Sequence, residues 1–227
     1  MDAGGAPMNY FTEAIAWILD PANAEGSGGV WARSAEHLWY TLLAVLLASV
    51  IAIPLGYLVG HTGRGRGLVV ASTGAARALP TLGVVTLVGL ILGIGLVAPL
   101  VALVLLAVPS VLAGAYAGIE AIDPRTIDAA RAMGMSDWQL LTRVEIPLGL
   151  PLLLGGVRSA TLQVVATATL AAYVGAGGLG RFLFLGLKTQ DYPQMLASAL
   201  LVVLIALILE ALFEIAERVT ARRLHVV

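Results

Sequence analysis

Five apolar stretches, each long enough to cross a membrane, limit what this chain can fold into. The hydrocarbon core of a bilayer is crossed by roughly 20 residues of α-helix. Hydrophobic residues make up 59% of the 227 residues, charged residues only 12%, and the mean hydropathy is +0.93, which leaves no water-compatible surface. The sequence therefore predicts an all-α integral membrane protein. The predicted spans are residues 38–59, 68–97, 99–119, 148–174 and 195–215.

The second apolar stretch is longer than one crossing requires and contains Arg77 and Pro80. Because proline removes a helical hydrogen bond and clashes with the preceding turn, we expect one tilted or kinked span there. The alternative is a re-entrant segment up to Pro80 followed by a short span, which would give an even number of crossings. Arg77 would either line a pathway near Pro80 or reach back to the cytoplasmic surface.

The distribution of basic residues predicts that the N-terminus is outside and the C-terminus inside. In this orientation eight arginines face the cytoplasm and three basic residues face outward, as the positive-inside rule requires. The inner residues are Arg64, Arg66, Arg125, Arg131, Arg143, Arg218, Arg222 and Arg223. The outer residues are Arg33, Arg181 and Lys188.

The same orientation predicts three regions along the chain. Residues 1–37 form an external segment with a short helix on the membrane surface, near residues 8–20. Residues 38–217 form the membrane domain, and residues 218–227 form a basic cytoplasmic tail. No cleavable signal peptide is expected, because Met1–Pro7 carry no positive charge and lead into no apolar core.

A polar loop, residues 120–147, separates two of the apolar stretches and holds eight of the 27 acidic and basic side chains. Asp123-Pro124 is typical of a helix start, and Gly134 of the left-handed position just past a helix end. Ser136-x-x-Gln139 matches a capping box that opens a second helix, and Pro147 is expected to stop that helix. An ordered, charged loop of this kind indicates a docking surface for a partner in water.

This loop resembles the coupling loop of the membrane subunits of ABC importers. The family pattern is Glu-Ala-Ala, three residues, Gly, nine residues and Ile-x-Leu-Pro. Here Asp128-Ala129-Ala130, Gly134 and Val144-x-Ile146-Pro147 stand at the same spacing. Three further segments are similar to the branch that imports osmoprotectants such as glycine betaine, carnitine, choline or proline. They are residues 76–83, 156–161 and 171–180.

The resemblance implies a permease subunit in the bacterial cytoplasmic membrane, with site residues of three kinds. The residues implied in ATPase coupling are Asp128, Ala129, Ala130, Arg131, Met133, Gly134 and Pro147. Candidates for the translocation pathway or gate are Arg77, Pro80 and Arg158, and Glu145 is a possible partner of Arg158. The loop with Gly175, Gly177, Gly178 and Gly180 is either a plain external turn or a contact for an external binding protein or outer gate.

The glycine spacing Gly175-x-Gly177-x-x-Gly180 also matches a dinucleotide fingerprint, but it follows a membrane helix rather than a strand, so that interpretation is rejected. No G-x-x-x-x-G-K-[ST] loop is present, so ATP and Mg²⁺ would be used by a separate ATPase, and no cofactor or metal is expected on this chain. The expected partners are a cytoplasmic ABC ATPase dimer, a second permease subunit (identical or a sister chain), an extracytoplasmic solute-binding protein and the lipid bilayer.

Several other function classes are less compatible with the sequence. A net charge of −1 without a basic patch excludes nucleic acid, and zero cysteines exclude thiolate metal sites. No catalytic arrangement is found, so no catalytic residue is expected. A secondary transporter driven by an ion gradient is expected to have acidic or histidine residues deep in its spans and an internal repeat. A permease for another solute such as methionine, and a membrane anchor for a cytoplasmic partner, stay open.

Overall fold

A computed structural model describes residues 7–67, 69, 71, 74 and 80–224. Every regular element in these residues is a helix, as the composition predicts. The α-helices are α1 (Pro7–Leu19), α2 (Pro21–Ala24), α3 (Val30–Thr62), α4 (Thr81–Leu92), α5 (Val97–Glu120), α6 (Pro124–Ala132), α7 (Asp137–Leu140), α8 (Ile146–Thr167), α9 (Gly180–Thr189) and α10 (Tyr192–Leu224). A π-helical turn, Leu141–Glu145, joins α7 to α8, and a 3-10 helix, Ala168–Val174, continues α8.

Four of the five predicted spans coincide with helical segments that are long and apolar enough to cross a membrane. These segments are Val30–Thr62, Val97–Glu120, Asp137–Val174 and Tyr192–Thr220. Three of them contain an internal proline, at Pro54, Pro109 and Pro151. Each segment extends beyond its predicted span at one end or both, by between one and 11 residues.

The described part of the second stretch does not form the predicted kinked span. Pro80 lies before α4 rather than inside a helix, with φ −72° and ψ 101°. This extended backbone cannot continue a helix, so α4 starts at Thr81 and ends after 12 residues, before Gly93 at φ +88°. Residues 68, 70, 72, 73 and 75–79, which include Arg77, lie outside the described residues. A fifth crossing therefore stays a prediction.

Helix α1 matches the short N-terminal helix that the sequence predicts. Phe11, Ile15 and Leu19 lie four residues apart on one exposed face. On another side of the helix Ala14 is fully buried, and Trp17 packs edge-on against Phe182 of α9 with ring centroids 5.0 Å apart. Helix α1 therefore presents an apolar strip while its other side is fixed to the protein.

The chain forms two compact units, and the first comprises Met1–Ala44, Pro80–Leu103 and Val164–Ile208. Its fully buried side chains include two polar ones, His37 and Ser198. The His37 Nε2–H donates to the Val165 carbonyl at 2.9 Å, and the Ser198 hydroxyl donates to the Leu179 carbonyl at 2.8 Å. These bonds join α3 to α8, and α10 to the residue before α9.

The second unit comprises Val45–Leu79, Val104–Gln163 and Leu209–Val227. In it α5 and α8 come close enough for backbone to touch backbone. A Cβ added to Gly118 would lie 2.5 Å from the Gly149 carbonyl oxygen, and one added to Gly156 would lie 2.8 Å from the Gly114 Cα. Small residues permit this approach between membrane helices, so the glycines set the distance between α5 and α8.

Candidate functional site

The polar loop begins with the helix start that the sequence predicts. The Asp123 side chain caps α6 by accepting the Arg125 N–H at 2.9 Å, and Pro124 occupies the first turn. The Arg125 guanidinium also bonds both carboxylate oxygens of Asp123. These bonds hold the pKa of the Asp123 carboxyl below its usual range, so the cap stays ionised as the pH falls into the range where carboxyls normally titrate.

Gly134 ends α6 as predicted, with φ +83°. The Met135 N–H donates to the Ala130 carbonyl at 3.3 Å and the Gly134 N–H donates to the Arg131 carbonyl at 2.9 Å, which closes the end of the helix. The capping box at Ser136 and Gln139 is also present, with both reciprocal bonds formed. The helix start at Asp123, the helix end at Gly134 and the capping box at Ser136 are therefore formed as the sequence predicts.

Pro147 does not stop the second helix, and that prediction is wrong. It is the second residue of α8, and the segment Asp137–Val174 is helical throughout. The π turn directly before α8 widens the helix, with the Ile146 N–H bonded to the Leu141 carbonyl five residues earlier. A wider turn accommodates a proline that can neither donate a hydrogen bond nor fit a tight preceding turn. The end of the loop is thus continuous with a membrane-spanning helix.

The loop exposes most of the residues that the resemblance implicates. Asp128, Ala129, Arg131 and Gly134 are exposed, and Met133 is 73% exposed. Ala130 is 3% exposed and faces the protein, and Pro147 is half-buried, so these two support the surface from behind. An open groove of about 530 Å³ runs along α6. It is lined by Arg125, Thr126, Ala129, Ala130, Met133 and Val144.

Two contacts between basic and acidic side chains at the base of this loop involve the last turn of α3 and the turn that follows it. The His61 Nδ1–H donates to Glu145 Oε2 at 2.6 Å, and Arg66 Nη1 lies 2.9 Å from Glu120 Oε1. Glu145 therefore does not pair with Arg158, contrary to the sequence-based suggestion. No local pattern could have identified His61 as the partner, because the two residues are 84 positions apart.

Arg158 on α8 bonds two carboxylates of α10. Its Nε donates to Glu210 at 2.9 Å, its Nη2 also contacts Glu210, and its Nη1 donates to Glu217 at 2.8 Å. A charge at membrane depth is costly unless it is paired, which explains the arrangement. Arg158 is therefore occupied by its partners.

A cavity of about 430 Å³ lies beside α5 and α8 in the same unit. Its walls combine small residues with hydroxyl and amide side chains and carry no ionised group. The lining residues are Leu106, Pro109, Ser110, Ala113, Gly114, Ala117, Leu152, Gly155, Gly156, Ser159 and Gln163.

The glycine-rich loop before α9 is fastened to α3. Gly178, at φ +81°, donates its N–H to Glu36 Oε2 at 2.8 Å, and the Gly177 N–H donates to the Tyr40 hydroxyl oxygen at 3.3 Å. Arg33 holds Glu36 from the other side at 2.7 Å. The sequence indicated the glycines but not these anchors.

Other glycines of this loop are held by their backbone surroundings. Gly175 has φ +84° and ends the 3-10 helix, and a Cβ on Gly180 would lie 1.9 Å from the Thr169 carbonyl oxygen. The loop is therefore an ordered element with little room for side chains. Within the described ranges, no group of three or more His, Cys, Asp or Glu residues could hold a metal ion.

Replacing Gly134 by leucine should impair transport while leaving the membrane helices in place. A side chain at φ +83° is strained by roughly 1–2 kcal/mol, although nothing lies within 4 Å of the added Cβ. The strain would reorient α6 relative to the rest of the loop. The measurement is ATP-dependent solute uptake by the complex in proteoliposomes. Gly26→Leu, at φ +84° with equally open surroundings, is the matched control and should transport normally. Equal uptake by the two variants would contradict the role of Gly134.

Comparison with known proteins provides independent information on this arrangement. The family described as "Binding-protein-dependent transport system inner membrane component" matches residues 52–226. The glycine betaine/carnitine/choline transport system permease protein OpuCB of Bacillus subtilis is 32% identical over 186 residues, which cover 82% of this chain and 86% of that protein. The osmoprotectant import permease protein OsmW of Salmonella typhimurium is 33% identical over 206 residues, covering 87% and 92%. A chain of the inward-facing MetNI methionine ABC transporter superposes with a TM-score of 0.71 at 25% identity, covering 82% of this chain and 93% of that one.

Proposed function

The chain belongs to the family of inner membrane components of binding-protein-dependent transport systems, and on this premise we propose that it is the permease subunit of an ATP-driven osmoprotectant importer. Its solutes would be small compounds such as glycine betaine, choline, carnitine or proline. The names of its relatives support this solute class, since OpuCB is named a glycine betaine/carnitine/choline permease and OsmW an osmoprotectant import permease. The observation that carries the transport role is the exposed surface of α6, which ends before Gly134 and is followed by a second helix, α7, that is continuous with a membrane-spanning segment.

The partners in this proposal each have a distinct task. An ABC ATPase dimer in the cytoplasm binds ATP and Mg²⁺ and receives α6 in a groove. A second permease subunit, identical or a sister chain, completes the passage, and a solute-binding protein outside delivers the cargo. The orientation follows the sequence expectation, with residues 1–37 outside, residues 38–217 in the membrane and residues 218–227 inside. The glycine-rich loop at Gly175–Gly180, held by Glu36 and Tyr40, would then face the binding protein or form the outer gate.

The mechanism uses the continuity between loop and membrane helix. Closure of the ATPase on ATP would displace α6 and, through the turn at Gly134, the segment Asp137–Val174. Because that segment is helical from the loop to the far end of α8, a push at its cytoplasmic end is transmitted along its length. ATP shifts the equilibrium between outward-open and inward-open states only as far as it binds one of them more tightly.

The cavity beside α5 and α8 is the part of the chain best suited to the solute passage. Polar groups at membrane depth face a protein partner or water rather than lipid, and Ser110, Ser159 and Gln163 all line this cavity. Hydroxyl and amide groups can bond the carboxylate or hydroxyl of an osmoprotectant weakly enough to release it. Arg158 contributes by its pairing with α10 rather than by lining the passage, and Pro80 would act at the start of α4.

Thiol labelling tests the passage directly, since the chain contains no native cysteine. Ala113→Cys and Ser159→Cys, inside the cavity, should react with a membrane-impermeant thiol reagent in the assembled complex, and bound glycine betaine should slow the reaction. Leu105→Cys, an exposed residue of α5 outside the cavity wall, is the control and should stay unlabelled. Normal uptake by variants whose cavity thiols never react would contradict this assignment.

Purification in mild detergent followed by uptake assays tests the function as a whole. We expect an ATPase to co-purify, and the reconstituted complex to take up betaine, choline, carnitine or proline when ATP is supplied. Uptake of methionine alone would leave the importer class intact and overturn the proposed solute class. Methionine is included because the structure resembles that of a methionine transporter. Uptake driven by a proton or sodium gradient without any ATPase would refute the proposal.

A further inference from the structure

The last turn of α3 and the turn after it contact both ends of the polar loop, residues 120–147. His61 pairs with Glu145, at the exit of the loop, and Arg66 pairs with Glu120, at its entry. Each acidic residue is the last of its element, Glu120 of α5 and Glu145 of the π turn. The end of α3 and the short turn after it thus hold the base of the whole loop from one side.

The two pairs differ in their exposure to solvent. The Glu145 side chain is only 6% exposed and that of His61 18%, whereas the Arg66 and Glu120 side chains are 69% and 42% exposed. A buried carboxylate is retained only where a partner compensates its lost hydration, while an exposed pair is weakened by water and salt. The His61–Glu145 pair is therefore the firm contact, and the Arg66–Glu120 pair is a natural control.

The firm pair adjoins, in sequence, a residue that lines the groove on α6. Glu145 is adjacent in sequence to Val144, and Val144 lines that groove together with Ala129 and Met133. On the other side, His61 is in the last turn of α3, whose Gly60 packs closely on Ile119 of α5. The pair therefore joins the element that bears the docking surface to the cytoplasmic end of α3.

We infer that His61 and Glu145 form a strut that transmits displacement of the docking surface into α3. Both are positioning residues that act on coupling and contact neither ATP nor solute. The inference rests on the proposed transport function and adds a second membrane helix, α3, to the segment Asp137–Val174 that the loop moves. Without the strut, the Asp137–Val174 segment can shift while the end of α3 stays behind. Part of each ATPase stroke is then lost as local deformation.

The test is the number of solute molecules moved per ATP hydrolysed by the reconstituted complex. The double variant His61→Leu/Glu145→Leu removes both partners and leaves no unpaired buried charge, so the fold is retained. We expect an ATPase rate close to that of the unmodified complex and a ratio of solute to ATP lowered about 5–10-fold, the lower range of coupling between sites. His61→Lys places a hydrogen-bond donor opposite Glu145 and should keep most of the ratio. Arg66→Leu/Glu120→Leu should leave it unchanged.

Each other result overturns the strut. An unchanged ratio in the His61→Leu/Glu145→Leu complex means that the pair carries no displacement. Loss of the folded chain or of the bound ATPase in that variant means that the pair acts on stability or assembly instead. The unmodified complex separates the two proposals, because absence of ATP-driven uptake there refutes the function itself. Normal uptake there combined with an unchanged ratio in the double variant refutes only the strut.

Discussion

Gly118→Ala should markedly reduce the amount of folded protein and lower its melting temperature in detergent. The added methyl group would lie 2.5 Å from the Gly149 carbonyl oxygen, and that atom belongs to the backbone of α8. A backbone atom cannot rotate away, so α5 and α8 must separate. Overpacking of this kind costs about 1–3 kcal/mol, a large part of the stability of a typical domain.

Gly155→Ala is the matched control for this substitution. It adds the same methyl group to α8, but the nearest atom, Glu217 Oε1, lies at 4.0 Å, which is ordinary contact. We expect its melting temperature to be close to that of the unmodified chain, or slightly higher because alanine favours the helix. Equal losses for Gly118→Ala and Gly155→Ala would mean that the close approach of the two helices does not limit stability.

Arg158→Met should strongly destabilise the second unit. The substitution keeps an unbranched side chain but leaves Glu210 and Glu217 without their shared partner on a membrane helix. Removing one side of a shielded ion pair is costly because the remaining charge has lost its hydration and gains nothing in return. The measurement is thermal unfolding in detergent together with the yield of inserted protein.

Arg218→Met is the control, since Arg218 forms an exposed pair with Glu214 one turn away on α10. Exposed pairs at this spacing contribute little, so this variant should unfold at almost the same temperature as the unmodified chain. A similar fall for Arg158→Met and Arg218→Met would contradict the structural importance of the cluster. Replacing the two carboxylates with neutral amides, Glu210→Gln/Glu217→Gln, should recover part of the stability that Arg158→Met loses when the three changes are combined.

The features predicted correctly from the sequence are those whose signals lie within a few neighbouring residues. Asp123 caps the helix that starts at the next residue, and Gly134 ends that helix through its own positive φ angle. Ser136 and Gln139 exchange hydrogen bonds between side chain and backbone across three positions. The four long apolar segments could also be predicted, because the apolar composition of each one is by itself enough to indicate a membrane-spanning helix. Local chemistry was therefore enough to recognise the loop and most of the membrane helices.

The features that were missed depend on contacts between distant parts of the chain. Arg158 was assigned to Glu145 by proximity in sequence, but its partners are 52 and 59 residues away on α10. Which of several acidic residues meets an arginine is decided by how the helices pack, and the sequence alone does not specify that packing. The anchors of the glycine-rich loop, Glu36 and Tyr40, were missed for the same reason.

The two prolines singled out in the sequence interrupt regular helix in different ways. Pro80 has extended backbone directly before α4, whereas Pro147, which the sequence predicts to end a helix, lies within one. Proline specifies which hydrogen bond is absent but not how the chain compensates for it. A π turn before Pro147 and an extended residue at Pro80 are two compensations for the same missing donor.

The π turn at Leu141–Glu145 also makes the loop sensitive to its length. Each residue of a regular helix turns the chain by about 100°, and a π turn holds one residue more than an α turn. Deleting one residue there would restore a regular helix but swing Trp138 and its neighbours by about 100° around the axis of α8. Over evolution, a gain or loss of a single codon in these five positions would re-aim the partner-facing surface in one step, so such a change could persist only alongside a matching change in the partner.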